Sequence, residues 1–213
     1  MLSRQCDLSN KFEFYIVPNA NPDGYQFSIT DDRYWRKNRR KNPDPLCYGV
    51  DLNRNWDYKW GVGASVNLCS EVYRGTSPFS EPETKALKTE MEKVKNMVLM
   101  IAFHNYGQSL LHPWGWTTTP APDYDAMKDL GNVFVSAASS DKRKYSVSNS
   151  AGSLYFASGA TDDWAKGILN AKYSYTLELP PKYGFTVPAK DIIPISEEII
   201  AGFKAILKAI VDE

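Results

Sequence analysis

Met97-Val98-Leu99-Met100-Ile101-Ala102-Phe103-His104 is a run of apolar residues closed by a histidine. It has the length of a strand and no alternation, which suits a central strand covered on both faces. Working outward, Ser80-Glu81-Pro82-Glu83 reads as a helix start, with Ser80 as N-cap, Glu83 reaching back and Pro82 inside the first turn. Ala86, Leu87, Met91 and Val94 follow at helical spacing. Downstream, the pattern predicts a helix from about Tyr124 to Ser139 that turns Met127, Leu130, Phe134 and Ala138 inward. Tyr173 to Leu179 alternates, with apolar or aromatic residues at odd positions and Glu178 on the other face near the end. Pro180 and Pro181 stop that strand. A last helix begins near Ser196 and carries Ile199, Ile200, Phe203, Ile206, Leu207 and Ile210 on one face. Phe12 to Val17 reads as a buried strand, ended in turns by Pro18 and by Asn21-Pro22-Asp23-Gly24. Residues 42 to 79 are rich in Gly, Pro, Asn and Ser and read as long loops, which are uncommon unless they serve a site. Strands alternating with helices predict an α/β fold with a mixed, mostly parallel sheet flanked by helices. Ligands of such sheets collect beyond the carboxyl ends of the strands, where this reading places both His104 and Glu178.

Composition narrows the classes. A chain of 213 residues with 43% hydrophobic content has enough material for one domain with a substantial core. Lys+Arg and Asp+Glu balance at 25 each, so neither nucleic acid nor an anionic membrane is expected as partner. No apolar run reaches membrane-spanning length, and the opening Met1-Leu2-Ser3-Arg4-Gln5-Cys6-Asp7 lacks the apolar stretch of a signal peptide. Three cysteines leave at least one unpaired within the chain; Cys47 and Cys69 could close one loop, leaving Cys6 free. Such a bond implies an oxidising compartment.

The chemistry concentrates in Gly49-Val50-Asp51-Leu52-Asn53-Arg54-Asn55-Trp56. Arg54 offers a planar fork suited to a carboxylate, and Asn53 adds amide donors beside it. Such a pair can grip the free carboxylate at a peptide's end; the same stretch also reads as a turn laced with Asx hydrogen bonds. Tyr34 to Lys41 is a basic run, the commoner fate of which is a solvated face. His104 is one of two histidines, and a lone His at a strand end is more often structural than a ligand. Glu178 near a strand end reads as a surface carboxylate, a helix-capping partner or a general base; if partly buried, its pKa would rise toward the range useful for proton transfer.

Taken together, the segments resemble the pancreatic-type (A/B) zinc carboxypeptidases. The matching stretches are Asn21 to Tyr25, Trp35 to Arg39, Gly49 to Trp56, Cys69 to Glu71, His104 to Gln108, Ser158 to Trp164 and Lys172 to Phe185, in the family's order. The resemblance implies hydrolysis of C-terminal residues by metal-activated water, with Zn2+ as cofactor and peptide or protein C-termini as partners of a secreted monomer. It implies that His104 is the last of three zinc ligands and that Glu178 activates the water. It implies that Arg39 polarises the scissile carbonyl, that Asn53 and Arg54 bind the terminal carboxylate, and that Tyr155 closes over the substrate. Tyr106, Arg36 and Phe185 would line the cleft further along the peptide, and Cys47 and Cys69 would form the family's disulfide. Asp162 falls where the family sets side-chain preference; a buried carboxylate there calls for Lys or Arg at the C-terminus. The alternative is that Asp162, beside Asp163, caps the helix that follows.

The pattern departs from the family in one large respect. The other two ligands come from a His-x-x-Glu motif upstream of Asn-Pro-Asp-Gly, and no histidine precedes His104 in this sequence. The resemblance therefore implies a single partial peptidase domain over residues 1–213, the C-terminal two-thirds of a catalytic domain, with one zinc ligand present, two missing, and little or no hydrolysis of its own. A zinc-free module that binds peptide C-termini, or a fragment without function, are the alternatives. Smaller departures are Asn105 for the usual Ser, Ala160 in a glycine-rich turn, and a shortened loop from Glu178 to Tyr183.

Overall fold

The computed structural model describes residue 8, residues 10–153 and residues 155–213; the opening segment with Cys6 lies outside the described residues. Among the described residues four strands form one sheet in the order β1-β4-β2-β3: β1 Leu99–Asn105, β2 Ser109–His112, β3 Ser146–Asn149 and β4 Tyr173–Leu179. The β1–β4 and β2–β3 ladders are parallel and β2–β4 is antiparallel, so the sheet is mixed and mostly parallel, as the sequence predicts. Among the described residues the α-helices of seven or more residues are α1 Pro22–Thr30, α2 Pro82–Met91, α3 Tyr124–Ala138, α4 Thr161–Gly167 and α5 Ile192–Asp212.

One face of the sheet carries the main core. Tyr173, Tyr175 and Leu177 of β4 pack with Met127, Leu130 and Phe134 of α3 and Ile195, Ile199 and Ile206 of α5. The Tyr175 hydroxyl satisfies itself by donating to the Met127 carbonyl at 2.7 Å. The opposite face is also closed: Ser174 and Thr176 are buried, and Ser174 Oγ donates to the Asp162 carbonyl of α4 at 2.8 Å. Met100 of β1 meets Ala165 of α4 and Ala171 on this side. The alternation in β4 thus separates an apolar face from a small polar one, both covered.

Several expectations are corrected. β1 is not central: among the described residues its only ladder partner is β4, and Phe103 is 54% exposed. Its unbroken apolar run reflects packing on both faces, which says nothing about neighbours in the sheet plane. Phe12 to Val17 forms no strand, and Phe14, Tyr15, Ile16 and Val17 are exposed. Strand propensity needs a ladder partner, and none of the described residues supplies one. Asn21-Pro22-Asp23-Gly24 opens α1 instead of a turn: the Asn21 side chain accepts from the Gly24 N–H at 3.1 Å and Pro22 fills the first position. Glu81, not Ser80, is the residue before α2, and the Ser80 hydroxyl donates to the Glu81 carboxylate. Ile200 faces solvent on α5, and α5 starts at Ile192, ahead of Ser196.

The basic run is not a solvated face. Lys37 is 2% exposed and donates to the Leu68 carbonyl, and Arg40 pairs with buried Glu81. Residues 42–79 are loops, as expected, tied by the Cys47–Cys69 disulfide and turned once by a 3₁₀ helix at Leu52–Arg54.

Candidate active site

β1 and β4 run parallel with His104 paired to Glu178, so both side chains leave the same face at the carboxyl end of the sheet. Burial raises the Glu178 pKa to about 7, with nearby Asp162 adding to the rise and Arg36 and Arg54 opposing it. Its Oε2 is buried without a hydrogen-bond partner. Burial lowers His104 to about 4, and the charges of Arg36 and Arg54 disfavour a further cation beside them.

The 3₁₀ turn brings Asn53 and Arg54 to this place. Asp51 is its N-cap, accepting from the Asn53 N–H at 3.0 Å, so the Asx turn and the functional pair are one structure. The Thr161 N–H donates to Asn53 Oδ1 at 2.9 Å. A backbone N–H can only donate, so the Asn53 amide is fixed with Nδ2 toward His104, 3.3 Å from Nε2. His104 Nε2 must then be the lone-pair acceptor, the neutral form that its low pKa favours.

Arg54 is 3% exposed. It donates to the Asn53 carbonyl at 2.6 Å and to the Tyr155 hydroxyl at 3.2 Å, while its Nε is buried and unpartnered. Gly159 makes the close approach possible. Its φ is +67°, and a Cβ there would lie 2.5 Å from the Arg54 carbonyl oxygen. Ala160, by contrast, sits at φ −88°, which any residue adopts, so an alanine in this turn is unstrained.

The neighbouring acids divide their work. Asp163 accepts from the Gly115 N–H at 2.9 and 3.0 Å and anchors that loop. Asp162 is buried at the start of α4 and is not the N-cap of that helix, a position held by Ala160. Burial raises its pKa; contacts of the carboxylate with the backbone of Asp163, with Thr176 and with its own backbone, and then the charge of Arg54, pull the other way. Tyr106 meets Phe185 edge-on at 4.7 Å, and the Tyr34 ring lies tilted against Phe185 at 6.2 Å. The Asn105 amide donates to the Phe185 carbonyl at 2.9 Å, a reach the shorter serine of the family pattern lacks.

Arg39 is not brought to this site. Its guanidinium lies 3.6 Å from the Phe27 ring centroid, 4.4 Å from Trp35 and 4.8 Å from Tyr48, a cage that consumes its faces. Arg36, three residues earlier, is near the site: its charge acts on Glu178, His104 and Tyr155. Asp51 holds it, with Arg36 Nε and Nη2 donating to Asp51 Oδ2 at 3.0 and 2.9 Å.

With this geometry established, comparison with known proteins identifies the group. The zinc carboxypeptidase family model matches residues 3–202. The chain belongs to the zinc carboxypeptidase family. It is 39% identical to carboxypeptidase B of Astacus astacus over 212 residues, covering 97% of this chain and 70% of that protein. It is 41% identical to carboxypeptidase A4 of Mus musculus over 208 residues, covering 95% of this chain and 49% of that protein. Among solved structures it superposes on bovine thrombin-activatable fibrinolysis inhibitor in complex with tick carboxypeptidase inhibitor. That match has a TM-score of 0.88 and 37% identity, over 93% of this chain and 69% of the bovine one. Carboxypeptidase A from Helicoverpa armigera gives 0.81 and 34%, over 91% and 51%. The chain thus spans between about half and 70% of the length of these relatives.

The family implies zinc, and the fit can be judged from donor atoms. A catalytic zinc takes three protein ligands and an open position. Here His104 Nε2 faces the Asn53 amide. Among the described residues the one trio of potential ligand atoms is Asp44, Cys47 and Cys69, two of which form the disulfide. The described residues do not make a catalytic zinc site.

Proposed function

We propose that this chain recognises the C-terminal residue of a peptide, as the substrate-binding part of a zinc-dependent metallocarboxypeptidase. The observation that carries this is Arg54: a buried guanidinium with no carboxylate in salt-bridge contact among the described residues, one nitrogen unpartnered, and a half-exposed Tyr155 as its door. A buried cation in that state calls for an anion from outside. The terminal carboxylate enters there, bonded by Arg54 and by the second N–H of Asn53 Nδ2, the one not turned toward His104, with Tyr155 swinging aside. The C-terminal side chain then points toward Asp162, whose buried carboxylate favours Lys or Arg over an apolar residue.

Glu178 and Arg36 flank the position of the last peptide bond. Glu178, with a pKa near neutrality, is suited to take a proton from water and pass it to the leaving amine. Arg36, not Arg39, supplies the cation for the carbonyl oxygen. No step is assigned through zinc, because His104 alone cannot hold it in catalytic form, and hydrolysis by this chain alone is expected to be negligible. The disulfide favours an oxidising, extracellular setting. Among the described residues no helix is long and apolar enough to cross a membrane.

Calorimetric titration tests the reading. A peptide ending in Arg with a free carboxylate should bind at least about tenfold more tightly than its C-terminal amide, since a lost charged hydrogen bond costs about 1.5–3 kcal/mol. Equal affinity for acid and amide would remove it. Zinc should bind well below one ion per chain at micromolar zinc. A ratio near one, abolished by His104→Ala, would mean that the chain completes the metal site.

A further inference from the structure

We infer that Asp51 is a positioning residue that sets Arg36 and the Asn53–Arg54 turn in a single frame. The two groups come from different stretches of loop, and neither is carried by a strand. The sheet can fix His104 and Glu178, but it cannot fix these. Asp51 does so with one buried carboxylate, its side chain 4% exposed. Oδ1 accepts from the Asn53 N–H at 3.0 Å and so closes the turn that presents Asn53 and Arg54. Oδ2 accepts from both Nε and Nη2 of Arg36, at 3.0 and 2.9 Å. Two N–H groups on one oxygen fix the plane of the guanidinium and leave Nη1 without a hydrogen-bond partner among the described residues. Asp51 itself is held from behind, its N–H donating to the Tyr73 carbonyl at 2.8 Å. The same carboxylate therefore fixes where the terminal carboxylate is gripped and where the carbonyl-facing cation stands. The spacing of those two points must match one peptide residue for both to engage a substrate.

The inference rests on the proposed recognition of peptide C-termini, and its test separates the two. Asp51→Asn keeps an oxygen that can cap the Asn53 N–H but loses the charge that holds Arg36. Titration with the peptide ending in Arg should show affinity at least about tenfold weaker for Asp51→Asn, and about as much weaker for Arg36→Met. The double variant should be no weaker than Arg36→Met alone, because the two residues act as a unit. Losses that multiply, or wild-type affinity in Asp51→Asn, would overturn the inference. Side-chain NMR gives a readout independent of binding. The Arg36 Nε–H should exchange slowly in the wild type and rapidly in Asp51→Asn; an unchanged signal would also overturn it. If the wild type binds neither peptide acid nor amide, the functional reading fails, while the Nε–H signal still decides whether Asp51 fixes Arg36. If Asp51→Asn does not fold, Arg36→Lys serves instead. It keeps the charge but not the two-pronged contact, and undiminished peptide affinity would count against the inference.

Discussion

His104 and Glu178 stand directly opposite each other on the parallel strands β1 and β4. Adjacent strands lie about 4.8 Å apart. Their separation is therefore set by ladder hydrogen bonds rather than by loops. β4 is held in turn by a packed core, in which Leu177, next to Glu178, is fully buried. Leu177→Ala removes that packing and should cost about 2–5 kcal/mol. Urea denaturation measures it, and a loss under about 1 kcal/mol would show that β4 is held chiefly by something other than this contact.

The two arginines of the basic run make opposite predictions. Arg39→Leu should leave peptide affinity within about twofold of wild type while lowering stability, because its guanidinium is spent on Phe27, Trp35 and Tyr48. A cation–π contact in a partly desolvated cage contributes about 1–2 kcal/mol. Thermal denaturation alongside titration separates this from Arg36→Met, which should weaken binding. The reverse pattern would restore Arg39 to the site.

Asp162 makes a prediction about selectivity. Asp162→Ala should reduce affinity for a peptide ending in Arg by at least about tenfold and raise it for one ending in Leu, because the buried charge that opposes apolar side chains is gone. Paired titrations decide it. If the Arg-to-Leu ratio is unmoved, Asp162 is part of the frame and not of the pocket.

What could be seen in advance follows from what periodicity carries. The stretch Tyr173 to Leu179 announces its strand by alternation, and Met127, Leu130, Phe134 and Ala138 announce the inward face of α3; all four are buried. His104 and Glu178 were placed by strand ends alone, and Asn53-Arg54 by functional-group chemistry. The failures have physical causes. Ser109–His112 and Ser146–Asn149 are four-residue strands with serine at their start, too short for their period to stand out in the sequence. Arg36 and Arg39 lie in a loop, where no period tells which one points inward; only Asp51 and the aromatic cage decide. Phe12 to Val17 has the composition of a strand but no neighbour among the described residues, and composition does not contain the neighbour. Nothing local distinguishes Asp162 from Asp163, since the difference lies in Gly115, far along the chain.

His112 supplies a pH dependence of stability separate from the site. It is fully buried at the end of β2, and its Nε2 has no hydrogen-bond partner. Burial lowers its pKa; the Pro113 carbonyl, 3.0 Å from Nδ1, pulls upward, and the charge of Lys128 pushes further down. The other face meets the Tyr124 ring edge-on at 4.9 Å, which offers no counter-charge. In the unfolded chain the group titrates near 6.5. Above that pH both states are neutral and the full stability is present. As pH falls below about 6.5, the unfolded state takes up a proton that the folded state refuses, so stability falls until the lowered folded pKa is reached. The slope approaches about 1.4 kcal/mol per pH unit for one such group. His104, also lowered, adds a slope of the same sign. The contribution of His112 is therefore read as the difference between wild type and His112→Gln in denaturant titrations from pH 8 to pH 5. That difference should be constant above pH 7 and shift toward the variant below pH 6.5. A difference that stays constant across the whole range would mean that His112 accepts its proton in the folded protein as readily as in the unfolded one.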